Sequence, residues 1–531
     1  MADAQATPAP GAPAGGSPGQ PGTAADPGVG MRREVLVVLP GLLLAIMLAM
    51  LDQLIVGTAL PRIVGSLGGV AHLSWVVTAY VLASTITTPL YGKLGDMYGR
   101  KKLFMAAIVI FLAGSALAGL SQSMAELITF RAVQGLGAGG LMVSAIAIIG
   151  DLVSPRERGQ YMGYIMAVMM IATIGGPLLG GFITDSFSWR WIFYINLPIG
   201  GAALAYLAAT LRLPRRRIEH RVDYPGAVVL AVATTAIVLV STWGGSRYAW
   251  GSPQILGLCV LAVVTVVGFI MIEARAAEPI LPLHIFRSRN FALVSALSFL
   301  AGLAMFGAIT FLPLYQQTVQ GASPTISGLL LTPMMVGVMI TSLIAGQLTT
   351  RTGRYRALPI LGAGGMTIGM VLLSLLGVNT SRVTLGLFMV VLGLGMGFLM
   401  QMTTLLAQNS VQPRDIGVAS SSRLFFQQIG GSIGVSAFGA IFARRLQEAL
   451  SSVSPGVDIS TSGGQFNPAT VRALPAAIRH DVFYAIAHAV QGVFLWAIPA
   501  CALAFVAAWF IKEVPLRGRA AAEEPAPELV G

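Results

Sequence analysis

The sequence predicts an all-α integral membrane protein with fourteen transmembrane helices, and three observations predict it. The 531 residues are 55% hydrophobic and only 10% charged, with a mean hydropathy of +0.78. Soluble domains hold roughly 45–50% apolar and about 25% charged residues. The apolar runs are long enough for a bilayer, which a helix crosses in about 20 residues. Lysines and arginines gather in alternate short connections between those runs, as the cytoplasmic preference of basic loops requires. The 63 glycines agree with this, because small residues let helix backbones approach in lipid.

Residues 1–31 come first, a Pro, Gly, Ala, Ser and Thr tail too poor in apolar bulk to fold. With neither a basic start nor an apolar core, this tail does not read as a signal peptide. Residues 32–211 hold six spans, near 35–60, 72–91, 103–121, 125–149, 160–184 and 190–211. Residues 212–287 hold an extra pair, near 224–243 and 254–273, with flanking loops. Residues 288–512 hold six more, near 290–315, 325–349, 358–377, 383–408, 417–443 and 487–511, and include a long loop at 444–486. Residues 513–531 form a second tail. An even number of spans puts both termini on one side. The two ends and the connections at 92–102, 150–159, 212–223, 274–289, 350–357 and 409–416 carry 23 of the 33 Lys and Arg. That bias assigns the termini to the cytoplasm and 444–486 to the exterior of a bacterial-type cell (inner) membrane.

The net charge of +12 would raise nucleic acid as a partner of a soluble protein. Here the basic residues border apolar runs, so the partner they imply is the lipid bilayer and no nucleic acid is expected. Cys259 and Cys501 each lie inside an apolar run and support no disulfide framework. No phosphate-cradling glycine loop, metal-ligand cluster or nucleophile triad is present. The expectation is therefore no enzyme, no metal and no cofactor.

The chain repeats itself. "GKLGDMYGRK" at 92 returns, degraded, as "GQLTTRTGRYR" at 346; "TIGGPLLGG" at 173 has a counterpart in "QIGGSIGVS" at 428; "GTALPRI" at 57 resembles "ITFLPLYQQ" at 309. The offsets are 252 to 255 residues. Two homologous six-helix halves around an inserted pair make a parallel duplication, an arrangement in which transporters bind substrate between the halves.

These motifs resemble those of a known family. "GKLGDMYGRKK" at 92–102 is similar to the cytoplasmic loop motif of the major facilitator superfamily. "LDQLIVGTALPRI", "WVVTAYVL" and "WRWIFYINLPIG" resemble signatures of its fourteen-helix drug:proton antiporter branch, the EmrB/QacA-type exporters. "RAVQGLGAGG" and "GGPLLGGF" are similar to its helix-4 and helix-5 motifs. The resemblance spans residues 32–512 and implies the major facilitator fold, two six-helix bundles plus a two-helix insert. It also implies export by alternating access, with a proton gradient as the energy source.

Asp52 is the one acid well inside an apolar run; Asp185 and Glu273 fall at helix ends. Twelve residues beyond Pro40 it lies about 18 Å deep. A carboxylate there is costly unless neutral or paired and is a functional site by default. Arg131 lies at a matching depth and is the expected partner, the two forming a proton-coupling pair. Gly92, Asp96, Gly99, Arg100 and Lys101 are expected to form a gate latch, glycines permitting a sharp turn and Asp96 accepting charge-assisted hydrogen bonds. The second half has Thr350 at the position of Asp96 and Met389 near that of Arg131, so both charges belong to one half. Gly163, Gly176, Pro177, Gly180 and Gly181 give the fifth span a stripe of small residues suited to close packing and a bend, which the resemblance makes an exporter motif.

The second half supplies Met334, Met335, Met339, Met396, Met400 and Met402 with several glutamines among them; most of these methionines are expected to be packing, the rest a soft surface suited to varied apolar ligands. Trp75, Tyr80, Gln134, Tyr315, Gln316, Met400, Gln401, Arg423 and Gln427 are cavity candidates. Arg423 is displaced from the family's usual basic position, where this chain has Gln427. The expected partners are protons and hydrophobic or cationic small molecules; by charge balance one interior acid suits monocationic, neutral or zwitterionic substrates. Export of a lipid or an endogenous secondary metabolite, and a non-transporting sensor or scaffold, are the alternative readings. Oligomeric state is not legible.

Overall fold

Each predicted span falls on helix in a computed structural model that describes residues 27–67, 73–153, 158–211, 223–245, 247–453 and 476–515. The expected tails, the Arg-rich part of the 212–223 connection and the middle of the 444–486 loop lie outside the described residues. The helices are α1 (Pro27–Leu67), α2 (Leu73–Tyr98), α3 (Arg100–Leu120), α4 (Met124–Leu152), α5 (Arg158–Ser186), α6 (Trp191–Tyr194), α7 (Asn196–Thr210), α8 (Tyr224–Trp243) and α9 (Pro253–Glu273). They continue as α10 (Arg289–Thr318), α11 (Pro324–Leu330), α12 (Thr332–Thr352), α13 (Ala357–Leu373), α14 (Arg382–Asn409), α15 (Ile416–Val453) and a last helix, α16 (Ala476–Trp509). Among the described residues there is no strand, only an isolated bridge between Gly244 and Tyr248.

Among the described residues, twelve segments are long and apolar enough to cross a membrane. The 26-residue α2, which carries Ser84, Thr85, Thr87 and Thr88, is not among them. Its hydroxyls donate back to carbonyls three or four residues earlier, which satisfies them within the helix. The apolar α13 has 17 residues.

Three predicted boundaries differ. The span at 190–211 is broken at Ile195, because Pro198 has no N–H to offer the Tyr194 carbonyl. The span at 325–349 is broken at Leu331 for the same reason, Pro333 facing the Leu329 carbonyl. The expected loop 444–486 is helical at both ends: α15 runs to Val453 and α16 begins at Ala476. Helix-forming residues and a 2.8 Å pair between Arg444 and Glu448, four apart, carry α15 onward.

Packing repeats where sequence does. Gly135 and Gly139 of α4 lie against the Tyr80 and Ser84 carbonyls of α2, and Gly137 against α3, where an added Cβ would stand 2.5 Å from the Phe111 nitrogen. In α14, 258 residues on, Gly393 and Gly397 lie against the Met334 and Val338 carbonyls of α12, and Gly395 against Met366 of α13. One hydrophobic core runs from Ile285 to Ile511 through α10 and α12–α16. Two more are built from residues 35–211, Leu424 of α15 reaching the first of them. A smaller cluster joins Leu230 of α8 and Phe269 of α9 to Phe425 and Ile429 of α15.

Candidate functional site

Asp52 is 1% exposed in the middle of α1. Its Oδ2 meets Nη1 of Arg131 at 2.6 Å. Its Oδ1 accepts from Nε2 of Gln134 and from Nδ2 of Asn196, each at 2.8 Å. Arg131, equally buried, also donates to Oε1 of Gln134 at 2.7 Å and to the Val76 carbonyl at 3.3 Å. Its guanidinium stands 4.1 Å from the Tyr80 ring centroid and 5.8 Å from that of Phe193. Such stacking stabilises a desolvated cation. Tyr80 is held by donating to the Ala49 carbonyl at 3.3 Å.

Local sequence explains the cluster. Arg131 and Gln134, three apart on α4, share a face. The break at Ile195 makes Asn196 the first residue of α7, at the level of Asp52. Asn196 also donates to Ser115 Oγ at 2.9 Å, and Ser115 donates to the Phe193 carbonyl at 2.9 Å. The carboxylate accepts three hydrogen bonds, two from neutral amides, which is what makes a buried pair tolerable. Asn196 and Ser115 were missed in the sequence; the signal was an Asn inside the apolar "WRWIFYINLPIG".

The 92–102 stretch forms a clasp between α2, α3 and α15. Asp96, beyond the apolar part of α2, accepts from Arg100 Nε at 3.3 Å and Nη2 at 2.8 Å, and its Oδ2 accepts from the Val418 N–H at 3.0 Å. Val418 lies in the first turn of α15, where backbone N–H groups lack helical partners and the dipole favours an anion. Burial, the largest influence, pushes the Asp96 carboxyl up to about 6, with Arg100 and the Val418 N–H pulling it down. Arg100 also reaches Asp151 at 2.8 Å and the Ala147 carbonyl. Lys101 caps α7 by donating to the Ala208 and Leu211 carbonyls at 2.9 and 2.6 Å. Gly99 has φ +95, a left-handed conformation that favours glycine, and Gly92 lies against Ser421, where a side chain would collide. Lys93 pairs with Glu278, just after α9, at 2.6 Å, a tie to the inserted helices that the sequence did not disclose.

The α5 stripe is only partly a packing face. Gly163 abuts Leu343 of α12 and Gly176 abuts Leu54 of α1, whereas a Cβ at Gly181 would meet nothing within 4 Å. Gly180 is a helical carbonyl accepting from Thr184, and the Pro177 side chain lies outside the described residues. The methionines of the second half are mainly packing, as expected for most of them: Met334, Met396 and Met402 are at most 2% exposed within the large cluster, and Met335 and Met400 pack on it. Apolar neighbours on α10, α13 and α15 take up those side chains.

The other cavity candidates are scattered. Trp75 stacks edge-on with Trp243 at 5.7 Å. Tyr315 donates to the Gly377 carbonyl at 2.7 Å. Among the described residues, the side-chain amides of Gln316 and Gln427 donate only to methionine sulfurs, at 3.8 Å, and that of Gln401 has no hydrogen-bond partner. Arg423 is buried, with Thr403 Oγ1 at 3.3 Å from its Nη1.

Comparison with known proteins decides the family. The profile of the Major Facilitator Superfamily matches residues 42–435. The chain belongs to that superfamily. The transporter is 41% identical over 90% of its length to an uncharacterized MFS-type transporter of Mycobacterium tuberculosis, covering 70% of it. It is 37% identical over 90% of its length to multidrug resistance protein 3 of Bacillus subtilis, covering 96% of that protein. Its fold matches the crystallised proton:xylose symporter XylE with a TM-score of 0.56, over 88% of this chain and 96% of that one, at 14% identity. It is thus a multi-pass membrane transporter, and its family and fold point away from an enzyme.

Proposed function

We propose that this transporter is a proton-driven exporter of hydrophobic small molecules, with fourteen membrane-crossing helices arranged as two six-helix bundles, residues 32–211 and 288–512, around a two-helix insert. Both termini face the cytoplasm in this reading, and the proton gradient is the sole energy source. The observation that carries it is the buried pair of Asp52 and Arg131.

Ionised Asp52 is matched to its surroundings: one cation and two amide N–H groups point at it. A proton arriving on Asp52 cancels its charge and leaves Arg131 with a carbonyl, an amide oxygen and two rings. A buried guanidinium without a counter-charge is costly, so protonation drives Arg131 to a new position. That movement on α4, packed against α2 and α3, couples the proton to the exchange of outward- and inward-open states. The clasp at Asp96 and Val418 holds one end shut in one of them. A proton enters from outside as substrate leaves and is released to the cytoplasm on return.

The test uses proteoliposomes with a pH-sensitive dye inside and a panel of lipophilic cations and neutral drugs. Substrate-evoked proton movement in wild type that is absent in Asp52→Asn is the expected result. An equal response in both would remove Asp52 from the mechanism. Silence of wild type across the panel would point to lipid or metabolite export instead.

A further inference from the structure

Arg423 is a second interior cation, and unlike Arg131 it faces no carboxylate among the described residues. It lies seven residues into α15, 4% exposed, and among the described residues its hydrogen-bond partner is Thr403 Oγ1 of α14, at 3.3 Å. A guanidinium has five N–H donors in a planar fork, so most of its capacity is unused. An uncompensated buried charge is far more costly than a paired one.

The surroundings are polar and equally short of partners. Ser420, Arg423 and Gln427 are spaced three and four apart and so line one face of α15. Gln408 of α14 donates to Ser420 at 2.9 Å, and Thr403 meets Arg423. Continued along these antiparallel helices, that register brings Gln401 level with residues 425 to 427. Both polar atoms of the Gln401 amide and the Oε1 of Gln427 are buried without a hydrogen-bond partner. The face begins beside the clasp, since Ser421 abuts Gly92 and Val418 donates to Asp96.

We propose that Arg423, with Thr403, Gln401 and Gln427, is the binding site for the acidic group of an amphipathic organic anion, a carboxylate or sulfonate. The proposal rests on the export reading above and narrows it. With Asp52 and Arg131 cancelling, Arg423 leaves the interior one charge positive, which disfavours the lipophilic cations the sequence left open. Two oxygens of a carboxylate or sulfonate accept two parallel bonds from the guanidinium fork, Thr403 keeps its orientation, and the Gln401 amide supplies a further donor.

The experiment measures equilibrium binding to purified protein in lipid nanodiscs, without a gradient. The probes are 5-(dimethylamino)naphthalene-1-sulfonate and the corresponding neutral sulfonamide, which share a ring system and differ in charge. Wild type is expected to bind the sulfonate about tenfold or more tightly than the sulfonamide, the scale of a lost charge-assisted hydrogen bond. Arg423→Gln should abolish that preference, bringing sulfonate affinity down to that of the sulfonamide, and Arg423→Lys should restore part of it. Thr403→Val, a milder change, should reduce sulfonate affinity alone and keeps the test open if Arg423→Gln fails to fold. A folded wild type without preference for the sulfonate, or an unchanged preference in either Arg423→Gln or Thr403→Val, overturns the proposal. Because no gradient is used, a failure of proton coupling leaves this readout intact. Conversely, proton flux evoked by neutral drugs together with binding indifferent to Arg423 would sink this site and spare the exporter.

Discussion

Asp96 of α2 and the backbone N–H of Val418, 322 residues later in α15, are joined by a 3.0 Å hydrogen bond. Its carboxyl titrates at about 6 there, above the ordinary 3.8, chiefly through burial. Opening that returns Asp96 to water takes its carboxyl back toward 3.8, so the closed form binds the proton more tightly. Closure is therefore favoured most at low pH, and that advantage is lost as pH rises from about 4 through about 6. Spin labels at the exposed Lys102 and Arg414 should show the short-distance population growing between about pH 7 and about pH 5. Asp96→Asn should make the distribution independent of pH; a pH response that survives in it would remove Asp96 as the titrating group.

Removing one member of the buried pair should be worse than removing both. Arg131→Gln leaves Asp52 charged among neutral groups and should destabilise the protein by about 3–5 kcal/mol. Asp52→Asn combined with Arg131→Gln should recover much of the loss, read as thermal unfolding of purified protein. Strict additivity of the two single variants would mean that the pair does not interact energetically.

Asn196→Ala removes one donor from Asp52 and leaves the Ser115 hydroxyl without its amide. A cost of about 1–3 kcal/mol is expected, with weaker substrate-evoked proton flux. Asn196→Ser should retain part of the flux, because a hydroxyl can still donate. Wild-type flux in Asn196→Ala would make this amide a packing residue only.

The glycines divide cleanly. Gly395→Ala forces a methyl into the backbone of α13 and should cost about 1–3 kcal/mol, as overpacking does. Gly181→Ala meets open space and should leave the unfolding temperature where it is. Equal effects at the two positions would contradict the packing described.

The tie between Lys93 and Glu278 is partly exposed, at 14% and 23%, so its energetic value is small, about 0.2–1 kcal/mol. Lys93→Glu should bring two acids together and loosen the contact of the insert with α2. Adding Glu278→Lys should restore it, measured by limited proteolysis in the 274–288 connection. No rescue by the double change would mean that the pair does not hold the insert.

The sequence disclosed Asp52 and Arg131 because an acid inside an apolar run is conspicuous and helix depth is countable from the span ends. Gln134 was a candidate by proximity on α4. Asn196 was not legible, since its place depends on the break that Pro198 makes two residues later and on how α7 meets α1. The charge of Arg423 was plain, but its lack of a carboxylate partner is a property of packing between α14 and α15. The ends of α15 and α16 were lost because polar, charged turns beyond an apolar run read as loop when hydropathy alone sets the boundary. That most of the methionines pack was expected, but which of them are enclosed depends on the neighbouring helices, and composition does not show that.

The Gly-Leu-Gly knuckles of α4 and α14 have a consequence for how such a molecule can diverge. Each occupies the same slot between two flanking helices, and neither tolerates a side chain on its contact edges. The two halves thus share one mechanical device, a helix edge that admits no side chain. Arginine stands at 131, four residues before one knuckle, and methionine at 389, four residues before the other. The packing edges match in the two halves while the charges do not. One half holds the buried pair of Asp52 and Arg131, and the other has an apolar side chain at the matching place without any change in how its helices meet.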